Sequence, residues 1–153
     1  MYDDQNQEEY TGSLESRMTF FKSHMEKSSK ISDVCWNNSG SILAVSFFVD
    51  NHIGPCSHQG LISFYKFNSS SKKFESYIEV ETNSCLKSLD NHPKNSNLFV
   101  CGSYSGEVYL IDLSKEDSDS DPIKFISKID SYLHKECVNF VKWVKNEEGK
   151  YVR

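Results

Sequence analysis

The sequence has no basic tract and no long hydrophobic run. Its 22 carboxylates outnumber 17 Lys and Arg, for a net charge of −5. The footprint of a nucleic-acid or anionic-membrane binder is therefore missing, and we expect no nucleic-acid and no membrane partner. The longest apolar stretches are strand-sized, far short of the ~20 residues of a membrane span. The N-terminus "MYDDQNQEEY" is acidic and polar, unlike a secretory signal. The cysteines at 35, 56, 85, 101 and 137 are an odd, scattered set. Cys35, Cys85, Cys101 and Cys137 fall in or beside predicted strands, where a reduced thiol packs as a small hydrophobe. Sequons at Asn37 and Asn68 mean little without a secretory route. The expectation is a reduced, intracellular protein.

Catalytic signatures are equally scarce. Gly102 and Gly106 lack the following Lys-Ser/Thr and the helix of a phosphate loop. Turn geometry, where glycine tolerates positive φ, is the nearer reason for both. His134 and Cys137 are three apart, but neither an orienting third group nor an oxyanion site can be pointed to. The acidic run Glu116, Asp117, Asp119, Asp121 lacks an EF-hand's glycine and terminal glutamate. His52, Cys56 and His58 stand together in "NHIGPCSH" and could give three ligands of a zinc site. Their spacing matches no standard finger and no fourth ligand is evident nearby, so a flexible surface loop is the preferred reading. We assign no catalytic residue, no cofactor and no metal, and expect that the protein is not an enzyme.

What is present is a β grammar. Residues 1–12 are charged, amide-rich and nearly without aliphatics, the composition of a disordered segment. Leu14, Met18, Phe21 and Met25 then fall on one stripe of a short helix predicted over 13–27, within an N-terminal segment 1–29, the alternative being an edge strand that starts at Phe20-Phe21. From Ile31 the runs are short. "ISDVCW" (31–36) and "SILAVSFF" (41–48) flank the turn-forming Asn37-Asn38-Ser39-Gly40. "GLISFYKF" (60–67) and "ESYIEVE" (75–81) complete four strands with no helix between them, which predicts an antiparallel meander.

The group then repeats. Residues 84–113 have the same order of strand, polar turn, strand, glycine-led turn and strand, and "IKFISKI" (123–129) supplies the fourth. A third cycle opens at "HKECVNFVKWVKN" (134–146). Ile31, Val34 and Trp36 align with Leu86, Leu89 and Asn91, and with Val138, Val141 and Trp143, at intervals of 55 and then 52 residues. The inserts "VDNHIGPCSHQ" (49–59) and "SKEDSDSDP" (114–122) lengthen those intervals. Four strands per unit at a period of roughly 45 residues or a little more is the mark of propeller blades. The aromatics Trp36, Tyr104, Tyr109 and Trp143 are placed near blade ends or turns, which suits a packing scaffold that presents loops to a protein.

"HKECVNFVKW" resembles the opening of a WD repeat, in which a His precedes the first strand and an aromatic ends it. "GSYSGEVYLIDL" (102–113) resembles the third strand, with Ile111 where that family usually has Trp and Asp112 at its Asp. The first repeat has Tyr65-Lys66 at that pair. The closer resemblance is to the WD-repeat region of dynein intermediate chains. "ISDVCWNNSGSILAVSF", a long irregular loop and "GLISFYKF" look like an early blade of that group, as does "LDNHPKNSNLFVCGSYSGEVYLIDLS" with His92-Pro93 and the Gly102–Gly106 turn. Within the group the pattern is most similar to the intermediate chains of cytoplasmic dynein-2, the motor of retrograde intraflagellar transport.

The resemblance implies an all-β WD-repeat propeller fragment over 30–153: blade 1 about 31–81, blade 2 about 84–129 and the start of blade 3 about 134–153. A closed ring in this family needs more blades than these roughly two and a half, so we expect the N-terminal part of a propeller in truncated form. The resemblance also implies a non-catalytic subunit whose propeller binds the dynein heavy chain and supports cilium assembly. Light chains and a second intermediate chain would bind outside this segment. The implied locations are cytoplasm, cytoskeleton and the cilium, at axoneme and basal body. Tyr104 and Ser105, on the blade-edge turn, are the candidate partner-binding residues. The alternatives are an axonemal intermediate chain, a generic WD-repeat scaffold, or a metal protein built on the 52–58 loop.

Overall fold

A computed structural model of the chain describes residues 28–114, 120–127, 134–146 and 151–152. Among them there is no helix, and eight of the ten strands form two four-stranded antiparallel sheets. The helix predicted over 13–27 and the acidic residues 116, 117 and 119 lie outside the described residues.

The first sheet is a meander of β1 (Ser29–Trp36), β2 (Ile42–Val49), β3 (Gly60–Asn68) and β4 (Lys73–Thr82), each strand paired with the next. The second repeats it with β5 (Leu86–Asn91), β6 (Leu98–Ser103), β7 (Val108–Asp112) and β8 (Ile123–Ile126). Their irregularities coincide. The β1–β2 ladder slips between Ile31 and Asp33, and the β5–β6 ladder between Leu86 and Ser88, 55 residues on. The β3–β4 ladder slips at Phe64/Tyr65, and the β7–β8 ladder at Leu110/Ile111. Extra residues in a ladder re-aim the strand at defined places, so matching bulges mark one unit built twice.

Turn chemistry repeats as well. The Asn37 carboxamide oxygen accepts the N–H groups of Ser41 and Ile42, while Gly40 takes φ = 68°. In the second sheet His92 Nδ1 accepts the N–H groups of Lys94 and Asn95. Each side chain closes the first hairpin of its sheet by satisfying backbone donors that the ladder leaves over.

The two sheets pack face to face. Period-two alternation gives the first sheet an inner face of Ile42, Ala44, Ile62, Phe64 and Val80. It meets Leu86, Leu89, Phe99, Cys101, Tyr109 and Ile111 of the second, with Phe64 edge-on to Phe99 at 5.0 Å. Tyr109, the second residue of β7 and close to the turn that precedes it, is buried in this core. Its hydroxyl donates to Glu107, and burial, reinforced by that carboxylate, pushes its pKa up. A polar tie crosses the same interface, from the Leu89 N–H to Asp33 Oδ2 at 2.8 Å.

The outer face of the second sheet meets residues 134–144. Val138 is buried against Gly102, its N–H donates to Ser103 O at 2.9 Å, and Ser88 Oγ donates to its carbonyl. The Trp143 backbone N–H donates to Asp90 Oδ2 at 3.0 Å, as the Leu89 backbone N–H does to Asp33. A groove of about 770 Å³ remains there, lined by Val100, Val108, Phe125 and Phe140 among others. Residues 134–143 form no strand, which differs from the predicted one: several of their backbone groups turn toward the second sheet. Pairing resumes only where Val144–Lys145 (β9) meets Tyr151–Val152 (β10).

Candidate functional site

The 50–59 loop between β2 and β3 folds against the 104–107 turn between β6 and β7. Three residues hold the turn. Ser103 Oγ accepts the Glu107 N–H, the Tyr104 N–H donates to Cys85 O at 2.7 Å, and both the N–H and hydroxyl of Ser105 reach Ser84 Oγ. Gly106 takes φ = 89°, and a Cβ there would lie 1.9 Å from His134 O. Positive φ and close approach both require glycine at this position. Gly102 is different. Its φ is not positive, and what excludes a side chain is Val138, whose Cγ1 would be 2.4 Å from a Cβ.

Tyr104 and Ser105, the expected partner-binding pair, thus sit on this turn, Tyr104 half-buried and Ser105 exposed. The Tyr104 ring stacks on His52 with centroids 3.9 Å apart and planes 14° from parallel. Two features that the sequence kept separate, the glycine-led turn and the His/Cys loop, form one surface.

The loop brings its own residues together. His52 Nε2 lies 3.1 Å and His58 Nδ1 3.8 Å from Cys56 Sγ. The fourth member comes from the link between β4 and β5: Cys85 is buried, and its N–H donates to Cys56 Sγ at 3.4 Å. One ligand atom from each of His52, Cys56, His58 and Cys85 lies within 4.8 Å of every other. Sequence reasoning found no fourth ligand because Cys85 is 29 residues beyond Cys56 and arrives only when the sheets stack. Gly60 permits the approach, since a Cβ there would meet Ser84 O at 2.1 Å.

Burial pushes the Cys56 thiol up, but hydrogen bonds from the Cys85 N–H, from Ser84 and from His58 outweigh it, leaving a pKa of about 6. Burial wins at Cys85, whose pKa is raised. The other thiols differ in surroundings. Burial, with Asp90 and Asp33 nearby, raises Cys35 to about 12, and burial also raises Cys101. Cys137 donates to Asn139, and Asp112, at the position of the WD-repeat Asp, accepts the N–H of Ser114. Asp121 accepts the Ile123 N–H.

Compared with known proteins, the sequence matches no family model and no curated protein.

Proposed function

We propose that the chain is part of a WD-repeat propeller from a dynein intermediate chain of the cytoplasmic dynein-2 type. In this reading it is a non-catalytic subunit that binds the heavy chain during retrograde intraflagellar transport and cilium assembly. The observation that carries the reading is the doubled meander: two four-stranded sheets with bulges at corresponding places, packed face to face. In a propeller every blade offers one face to the blade before and the opposite face to the blade after. The first sheet meets the second with Ile42 and Ala44, and Val100, the counterpart of Ala44 in the second, lines the groove beside residues 134–144. Resemblance of the 31–67 and 89–114 stretches to early blades of dynein intermediate chains supports the dynein part of the reading.

The working surface in this reading is loops at the sheet ends, with Ser105 exposed on the 104–107 turn. Partners are the heavy chain directly, and light chains and a second intermediate chain through other segments; the setting is cytoplasm, cytoskeleton and cilium. A pull-down from ciliated cells, with the longest natural product containing the sequence as bait, tests it by mass spectrometry. Recovery of the dynein-2 heavy chain, reduced by Ser105→Arg, is expected. Axonemal heavy chains in its place would move the assignment to a beating-cilium motor, and the absence of any dynein subunit would leave a scaffold with another partner.

A further inference from the structure

We propose that His52, Cys56, His58 and Cys85 form a closed, structural zinc site that fastens the β2–β3 loop to the stacked sheets. Zinc binds thiolates at ~2.3 Å and imidazoles at ~2.0–2.1 Å in a tetrahedron, so its ligand atoms stand roughly 3.3–3.8 Å apart. The Cys56 Sγ contacts with His52 Nε2 and His58 Nδ1, at 3.1 and 3.8 Å, already lie near those spacings. The remaining pairs close within 4.8 Å, a range that side-chain adjustment bridges. Four protein ligands of mixed sulfur and nitrogen fill the coordination shell, which is the arrangement of a structural rather than a catalytic centre.

The surroundings fit the same conclusion. The Val49 N–H donates to Cys85 Sγ and the Cys85 N–H to Cys56 Sγ, both at 3.4 Å, so each sulfur accepts a backbone donor, as a metal-bound thiolate does. His52 is held between the Tyr104 ring and His58, whose planes lie 14° and 89° from its own. Gly54 takes φ = 95° and turns the loop back between its ligands. In the bound site both cysteines are thiolates, any thiol proton passing to solvent, and their two charges neutralise the dication, leaving a site without net charge. The site would join three connections: β2–β3, β4–β5 and, through Tyr104, β6–β7. It would tie down an eleven-residue insert (49–59) where the second sheet uses a short turn.

The test uses the full chain, purified reduced, with Zn²⁺ and then Co²⁺ as probes. Elemental analysis after gel filtration should find about one zinc per chain. Co²⁺ should give the intense absorption of a tetrahedral site together with thiolate charge transfer. Cys56→Ser and His58→Asn, both at partly exposed positions, should each lower zinc affinity at least about tenfold while the β-sheet circular dichroism is retained. Tyr104→Ala should weaken it by about tenfold, whereas Cys35→Ser should leave it unchanged. Chelation should lower the melting temperature of the native chain but not that of Cys56→Ser. No retained zinc in the native chain, an octahedral cobalt spectrum, unchanged affinity in both ligand variants, or a Cys56–Cys85 disulfide in the reduced preparation would each overturn the site.

Discussion

Strands β1 and β5 occupy the same place in their sheets, carry the same bulge and lie 55 residues apart, yet their environments are opposite. Leu86 and Leu89 are 0% and 5% exposed, while their counterparts Ile31 and Val34 are 59% and 53% exposed. Nothing local separates the pairs, since all four are aliphatic, on a strand, and directed to the same face of their sheet. The difference is what lies opposite: β5 has the first sheet against it, and among the described residues nothing covers Ile31 and Val34. Backbone pattern fixes the strand, and stacking fixes how much the strand contributes to stability.

Breaking the comparison at its stronger side gives the largest effect. Leu86→Ala should cost about 2–5 kcal/mol in urea unfolding through lost burial and the cavity left behind. Ile31→Ala, its counterpart, should cost less than ~1 kcal/mol. Comparable losses would mean that the first sheet's outer face is covered in solution. Gly102→Ala comes next, because its Cβ would press on the stiff, β-branched Val138. A loss of about 1–3 kcal/mol is expected, partly recovered in the double variant with Val138→Ala.

Polar ties between units give smaller effects. Asp33→Ala removes the acceptor of the Leu89 N–H and should cost about 1–2 kcal/mol, with Asp90→Ala acting alike on the Trp143 N–H. A neutral result for one and a loss for the other would show that the two interfaces are not equivalent. Lys142→Ala is the smallest. Its ammonium is 2.9 Å from Asp90, but its side chain is 59% exposed, so less than ~1 kcal/mol is expected, fading further in high salt.

The meander and its register were legible in the sequence because they rest on local signals. Alternation in "GLISFYKF", the Asn37–Gly40 turn and the glycine-led 102–106 stretch specify strands and hairpins without reference to the rest of the chain. Alignment of Leu86 and Leu89 with Ile31 and Val34 also held, since matching bulges follow it. Three features were hidden because they depend on what stacks on what. Cys85 looked like a small core residue, and its place in the His/Cys cluster needs the 50–59 loop laid over the β4–β5 link. The stacking of Tyr104 on His52 joins residues 52 positions apart, in connections of different sheets. Gly102 looked like a turn glycine, whereas the approach of Val138 from a later segment is what excludes a side chain there. Spacing reports what a strand can present, and only the packed molecule decides what it meets.

Native-state hydrogen exchange on β1 and β5 tests the central claim most directly, because both are edge strands with one ladder partner and differ mainly in what is stacked on them. If the sheets pack as successive units, the ladder amides of β5 exchange at least about tenfold more slowly than those of β1. Equal protection in the two strands would contradict the stacking on which both the fold and the proposed function depend.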